Sequence, residues 1–308
     1  MKKKLSVAAL LVIAIAGLVS LVLRLQLFSK RSAETIPPHR AESSQKNSSR
    51  GMQVSIQDLR ENARAAARRG AAYVMSYRGL LKDPGILWAL HVVNEKYCRD
   101  PQIDAALKRR FHKEFDSHPL YYAYERLFDE SAVHDFHYGD LKNWEAYFDD
   151  IILPALYCDV RRPPEDVVKK IFSMEGKFGY WLTHHFLALL FLRDRGCLKE
   201  RANEIERDIA AAAEKIRLEE RRASLVDDVY AERIAMLLYG GFRRLVDADW
   251  IAKLVGRQRA SGRWEGGIPG IGIGENPHTT ALAVWALADY SRSCPFGERQ
   301  EQKEEAGR

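Results

Sequence analysis

Two kinds of helical segment alternate along most of the chain. Apolar segments such as "NPHTTALAVWALADY", residues 276–290, lack a continuous charged face, which is typical of helices inside a domain. Amphipathic segments such as "RANEIERDIAAAAEKIRLEERR", residues 201–222, carry one apolar stripe and one charged face. Because few runs alternate apolar and polar residues, the predicted class is all-α.

The two kinds of segment pair in chain order into six helical hairpins. The amphipathic member of each is expected outside and the apolar member inside. The predicted pairs are 55–80 with 84–98, 102–115 with 119–130, a short or irregular 131–142 with 143–158, 163–174 with 181–196, 199–222 with 227–241, and 247–259 with 277–293. Pro84, Pro119 and Pro277 mark helix starts, since the first helical residue needs no N–H partner.

One short motif indicates a family. Gln258, Gly262 and Trp264 fit the Gln-x-x-x-Gly-x-Trp signature of squalene-hopene cyclase-like proteins, and the apolar segment after them resembles an inner helix of the α/α-toroid shared by triterpene cyclases and protein prenyltransferases. The close similarity covers residues 247–290. The resemblance implies a single (α/α)6-type toroid in which Gln258 and Trp264 stabilise helix ends. It does not extend to the reactions, because the acid motif of the cyclases and the zinc ligands of the prenyltransferases are not recognisable.

The N-terminal region predicts a membrane segment. Leu5 to Leu23 is uncharged and long enough to cross a hydrocarbon core as a helix. An uncleaved signal-anchor is expected, with the domain facing the periplasm or the extracellular or lumenal side. Cleavage and secretion form the alternative. The predicted organisation is 1–28 as membrane anchor or signal segment, 29–51 as polar linker, 52–294 as the toroid domain and 295–308 as a charged disordered tail.

The distribution of charge argues against a nucleic-acid partner. The net charge of the whole chain is +6, but residues 1–50 hold nine Lys/Arg and two Asp/Glu and so account for +7. The remainder, with 39 Lys/Arg and 40 Asp/Glu, is nearly neutral. Basic runs within it are interleaved with acids, which indicates solvated helix faces.

The four cysteines each follow an apolar helix. In a closed ring the first and sixth hairpins are neighbours, as are the third and fourth, so we predict disulfides Cys98–Cys294 and Cys158–Cys197 on the rim opposite the candidate site. Four buried thiols in a reducing compartment are the alternative.

Chemistry is expected where the inner helices begin, since free N–H groups and polar side chains converge there. The predicted catalytic residues are His184, His185, His278, Asp227 and Asp228, and the predicted ligand-binding residues are Asp83, Trp88, His118, His134, Trp181 and Glu275. Histidine beside a carboxylate suits acid–base chemistry near neutral pH. A histidine that caps a helix or bonds a neighbour is the structural alternative.

The sequence is compatible with three functions. The first is a central cavity that binds an extended lipid, glycan or peptide, with His/Asp acid–base catalysis. The second is a non-catalytic envelope scaffold or protein-docking module, and the third an isoprenoid-binding or isoprenoid-modifying protein. The cofactor is unknown. "HDFH", residues 134–137, is a weak metal motif, so no metal site is assigned. The glycine-rich segment 262–278 is either a lid or a passive connection.

Overall fold

The computed structural model describes residues 55–137, 141, 149–173, 175–266 and 277–296. These residues belong to the second of two compact units, Val54–Arg308. They contain no β-strand, in agreement with the predicted all-α class. The α-helices are α1 (Ile56–Ser76), α2 (Gly85–Val93), α3 (Pro101–Phe115), α4 (Asp149–Leu156), α5 (Glu165–Phe172), α6 (Tyr180–Asp194), α7 (Ala202–Arg222), α8 (Asp228–Tyr239), α9 (Ala248–Gly256) and α10 (Pro277–Ser291).

Four shorter helices lie between these elements. A π-helix, Asn94–Cys98, continues α2, and 3₁₀-helices span Tyr121–Leu127, Lys199–Arg201 and Arg243–Leu245. The segment after His118 was predicted to form an apolar α-helix, and this was wrong. The ring of His118 accepts hydrogen bonds from the backbone N–H groups of Leu120 and Tyr121, which fixes a turn, and a 3₁₀-helix follows.

The apolar and the amphipathic helices differ in how much of their surface is buried. Helices α2, α4, α6, α8 and α10 are buried along most of their residues, whereas α1, α5, α7 and α9 are buried on one stripe only. In α10 the side chains of Leu282, Val284, Trp285 and Leu287 are all at most 4% exposed. Each such side chain contributes about 1.5–3 kcal/mol on burial, so this helix depends on neighbours on every side.

Those neighbours include the first described helix. Helix α10 packs against α1, α2, α8 and α9, so the last described helix contacts the first. The contact with α1 is close at Gly70, where an added Cβ would lie 2.6 Å from Cγ2 of Val284. Glycine at this position allows the two helices to approach each other.

Two disulfides join the ends of buried helices. Cys98, at the end of the π-helix that continues α2, is bonded to Cys294 after α10, with a Cα–Cα distance of 4.9 Å. Cys158, after α4, is bonded to Cys197 after α6, with a Cα–Cα distance of 5.9 Å. These are the two pairs that hairpin order predicts. Disulfides persist in oxidising compartments, which is consistent with a location outside the cytoplasm.

The predicted membrane segment, Leu5 to Leu23, lies outside the described residues, as do the linker 29–51 and most of the tail 295–308. Among the described helices, none combines the length and the apolar character that a transmembrane span requires.

Candidate active site

A cavity of about 140 Å³ lies at the N-terminal ends of the buried helices α2, α4, α6, α8 and α10. The four half-cystines follow the C-terminal ends of α2, α4, α6 and α10, which are the opposite ends of those helices. Aromatic side chains form much of the wall and five ionisable side chains interrupt it. The aromatic residues are Trp88, Tyr121, Tyr124, Phe191 and Trp285, and the ionisable residues are Asp83, Asp149, His184, Glu232 and His278.

Helix geometry explains why these ionisable groups meet. Asp83 precedes α2, and Asp149, His184, Glu232 and His278 all lie within the first two turns of α4, α6, α8 and α10. Unpaired backbone N–H groups and the positive end of the helix dipole occur at the same ends. Carboxylates and polar ligands are therefore favoured at this end of the helices.

His278 connects two carboxylates. Its Nδ1 lies 2.8 and 3.0 Å from the two carboxylate oxygens of Asp228, and its Nε2 lies 3.3 Å from Oδ2 of Asp83. Asp228 is fully buried and also accepts hydrogen bonds from the hydroxyls of Tyr180, at 2.7 Å, and Thr279. These contacts fix the His278 ring at the cavity wall.

The charges of His278, Asp228 and Asp83 stabilise one another. Burial alone would lower the pKa of His278, but the carboxylate and hydrogen bond of Asp228, together with Asp83, raise it to about 10. Burial alone would raise the pKa of Asp228, but His278 and the two hydroxyl donors hold it below its ordinary value. His278 is therefore a cation and Asp228 an anion at neutral pH.

Glu232 and His184 form a second pair, with the opposite protonation. Oε1 of Glu232 lies 3.3 Å from Nδ1 of His184. Nδ1 also lies 2.8 Å from the backbone carbonyl of Tyr180, which can only accept, so geometry assigns the proton to Nδ1 and leaves Nε2 as the basic atom. Burial raises the pKa of Glu232 to about 8 and lowers that of His184 to about 4. At neutral pH the carboxyl holds a proton and the imidazole is neutral.

Asp149 is a second carboxyl with a raised pKa. The hydroxyl of Tyr124 donates a hydrogen bond to its Oδ1, and its Oδ2 is buried with no hydrogen-bond partner. Burial raises the pKa of Asp149 to about 7, against the lowering effect of the Tyr124 hydrogen bond, and the negative charge of Asp83 adds to the rise. The cavity therefore holds two carboxyls that can carry a proton near neutral pH, Glu232 and Asp149.

The aromatic side of the cavity is built around Trp88. Its ring meets Trp285 edge-on, with centroids 5.1 Å apart, and also contacts Phe191 at 5.8 Å and Tyr239 at 5.6 Å. Such mutual contacts restrict each ring. The result is a rigid apolar wall within the same cavity as the ionisable groups.

Four of the predicted site residues line the cavity: Asp83, Trp88, His184 and His278. Asp228 stands directly behind His278. The structure thus brings five of the eleven predicted residues into one site. Glu275 lies outside the described residues.

The other five predicted residues make structural contacts. His185 is buried with Nδ1 3.0 Å from the Ile171 carbonyl, since neighbouring helical residues point about 100° apart. Asp227 caps α8 by accepting from the Tyr230 N–H. His118 caps the turn before the 3₁₀-helix and stacks on Tyr121, His134 pairs with Glu125 at 2.7 Å, and Trp181 lies under the Lys177 ammonium group.

Glu232, Asp149 and Tyr124 line the cavity but are not among the residues predicted from the sequence. Glu232 had a detectable signal, because it follows Asp228 by four residues in a mainly apolar helix and so shares its face. A buried carboxylate without a partner lowers the stability of the fold, so an acid in such a helix suggests either a partner or a function. Asp149 and Tyr124 had no comparable local signal, since their pairing joins segments 25 residues apart.

Comparison with known protein families, with curated proteins and with solved structures finds no match to this chain. The chemistry of the cavity therefore has to be inferred from its own residues.

Proposed function

We propose that the chain is an acid–base enzyme that binds one sugar unit of a glycan in the cavity and cleaves a glycosidic bond. The observation that carries the proposal is the protonated carboxyl of Glu232 beside an ionised carboxylate–imidazolium group in an aromatic cavity. A proton donor and a proton acceptor in one site are what glycoside hydrolysis requires.

The composition of the wall favours a glycan over the other ligand classes. Pyranose rings present an apolar face that packs on aromatic rings and hydroxyls that bond carboxylates, and Trp88, Trp285 and Asp83 provide both kinds of surface. A lipid site needs few ionisable groups, but five line this cavity. The volume of about 140 Å³ is below the range typical of drug-sized ligands, which suits a single sugar unit better than a stretch of peptide.

The proposed reaction assigns a role to each group. Glu232 donates its proton to the glycosidic oxygen as the bond from that oxygen to the anomeric carbon breaks. Asp83, held by the Gly85 N–H at 2.6 Å and by His278, accepts a proton from the water whose oxygen bonds to the same carbon. Asp228 keeps His278 charged and oriented. Both protons are accounted for, and the products are two shorter glycans.

The test compares Glu232→Gln with the parent chain on a panel of oligosaccharides, measuring release of new reducing ends. We expect kcat to fall roughly 10²–10⁴-fold, the usual contribution of general acid–base catalysis. Glu206→Gln, which changes an exposed glutamate of α7, is the matched control and should leave the rate unchanged. The hydrolase proposal fails if no glycan is cleaved by the parent, or if Glu232→Gln keeps full activity.

An isoprenoid ligand is the second candidate, favoured by the aromatic wall around Trp88. Aromatic faces stabilise cations, and a protonated carboxyl can protonate a double bond. Product analysis separates the two, because an isoprenoid enzyme would convert a prenyl substrate and leave every oligosaccharide intact.

We also propose that the helices close into an α/α-toroid held outside the cytoplasm by an N-terminal anchor at Leu5 to Leu23. The contact between α1 and α10, the alternation of fully and partly buried helices and the two disulfides support it. Carbonate-washed membranes should retain the chain, and its cysteines should react with maleimide only after reduction. Release of the intact chain by the wash would contradict the proposed membrane anchor.

A further inference from the structure

A second group of ionisable residues lies at the far end of α2, apart from the cavity. One ligand atom each from His91, Glu95 and Asp104 can be chosen so that all lie within 4.8 Å of one another. His91 and Glu95 are four residues apart across the junction of α2 and the π-helix, and Asp104 is in the first turn of α3. None of the three lines the cavity. We propose that these three side chains bind a divalent transition-metal ion, for which zinc is the best candidate.

The imidazole of His91 is buried against a carboxylate. His91 is 8% exposed, and its buried Nδ1 lies 2.9 Å from the buried Oδ1 of Asp104. At this distance the two atoms share a proton when no ion is bound, and a metal ion would displace that proton. Two ligand atoms of a tetrahedral zinc ion, each about 2.0–2.2 Å from the metal, lie roughly 3.3–3.6 Å apart. Nδ1 of His91 and Oδ1 of Asp104 would have to separate by roughly 0.5 Å to hold the ion between them.

The surroundings hold this pair in place. The His91 ring packs on Phe128, with centroids 5.1 Å apart, which fixes its orientation. Lys108 contacts Oδ2 of Asp104 at 3.1 Å and so leaves Oδ1 for the ion. Partners of this kind are typical of the groups that orient metal ligands.

The backbone between the ligands is also fixed. The Asn94 side chain donates to the Asp100 carbonyl at 3.0 Å and accepts from the Asp100 N–H at 3.2 Å, which clamps the turn between the π-helix and α3. The disulfide at Cys98 lies in the same turn. Glu95 is exposed, so its long side chain can move the short distance needed to complete the site.

The donor set selects the class of ion. Two carboxylates balance the charge of a dication, and an imidazole favours zinc and neighbouring transition metals over magnesium or calcium, which prefer oxygen alone. Three protein ligands leave a fourth tetrahedral position for water.

The test uses the full chain, freed of metal with EDTA and titrated with zinc chloride in a calorimeter. We expect one equivalent to bind and the melting temperature to rise, since a ligand of the folded state stabilises it. Cobalt chloride should bind with the intense visible absorption of a four-coordinate site. Glu95→Gln, an exposed and structurally mild change, should weaken zinc binding at least about tenfold, and His91→Ala should weaken it further.

His112→Ala is the matched control, because His112 also contacts two acids, Asp116 and Glu125, but through different ring nitrogens. It should bind zinc like the parent. Absence of stoichiometric zinc binding by the folded parent chain overturns the proposal. Unchanged zinc affinity in Glu95→Gln also overturns the proposal, because a folding defect could not produce that result.

Discussion

At the scale of single residues, the cavity is distinguished by two carboxyl groups, Glu232 and Asp149, whose raised pKa values let them carry a proton near neutral pH. Glu232 has a raised pKa, and among the residues that the structure describes its ion-pairing neighbour is His184, which is neutral at neutral pH. Its Oε2 is buried, and a hydrogen bond with the Thr183 side chain only partly offsets the effect of burial on the pKa. Such a carboxyl costs stability once it ionises, so its presence among the buried residues of α8 points to a function.

We expect this cost to appear as a pH dependence of folding. The pKa of Glu232 is about 8 in the folded chain against an ordinary 4.5, so the folded state binds the extra proton between these pH values. The free energy of unfolding should then decrease as pH rises from 4.5 to 8. In Glu232→Gln this contribution is absent. Urea unfolding should show the free energy of unfolding of the variant rising relative to that of the parent across this window, by about 1.4 kcal/mol per pH unit and about 5 kcal/mol at most.

The comparison with Glu206→Gln removes effects of charge alone, since that residue is exposed. A difference between Glu232→Gln and the parent that is the same at pH 4 and pH 8 would contradict the assignment of the raised pKa.

At the scale of elements, the motif residues near Gln258 join three helices. The Gln258 amide donates to the carbonyls of Ala66 in α1 and of Gly262, both at 2.8 Å, and its oxygen accepts from Arg69 at 2.6 Å. The Trp264 indole donates to the carbonyl of Leu254 in α9, and its backbone N–H donates to the hydroxyl of Thr280 in α10. Through these contacts Gln258 and Trp264 connect the ends of helices, and the stabilising role that the resemblance implies stays a prediction.

Gly262 completes the arrangement. Its φ is +89°, and an added Cβ would lie 2.5 Å from the Arg69 carbonyl oxygen, so both the backbone conformation and the space require glycine.

We expect Gln258→Ala to lower the free energy of unfolding by about 1–3 kcal/mol, because it leaves the Ala66 and Gly262 carbonyls without their donor. Gln57→Ala is the control: Gln57 is exposed, its side chain bonds Glu61 at 3.2 Å, and its loss should change stability by about 0.5 kcal/mol or less. Both are measured by urea unfolding at one pH. Equal effects of the two substitutions would show that Gln258 does not join the helices.

The elements also show where prediction from sequence stops. Helices α1, α7 and α10 were predicted because their apolar periodicity is local to each segment. The 3₁₀-helix at Tyr121–Leu127 was not, because its apolar spacing does not distinguish a 3₁₀-helix from an α-helix, and the turn at His118 that precedes it depends on side-chain hydrogen bonds. In the cavity, His278 and Asp83 were predicted from their position at helix starts. Their contact, and that of His278 with Asp228 fifty residues away, depends on packing that no local pattern encodes.

At the scale of the whole molecule, the two disulfides close loops of very different length. Cys98 and Cys294 are 196 residues apart in sequence, and Cys158 and Cys197 are 39 apart. The entropy that a cross-link removes from the unfolded chain grows with the logarithm of loop length. The longer loop also joins regions that include the first and last buried helices.

We therefore expect replacement of Cys98 and Cys294 by serine to lower the free energy of unfolding by about 1 kcal/mol more than the same replacement of Cys158 and Cys197. Urea unfolding of the two double variants in the absence of reductant measures the difference. An equal or larger loss on removing the shorter loop would mean that strain or local packing, rather than chain entropy, dominates.

The position of His278 on the last buried helix has a consequence for biosynthesis. Asp228 is synthesised about fifty residues before the imidazolium that neutralises it, and Cys98 almost two hundred residues before the thiol it bonds. A polypeptide that ends before α10 therefore has Asp228 without its counter-charge and Cys98 without its disulfide partner. We expect such a truncated chain to be more sensitive to proteolysis than the complete one.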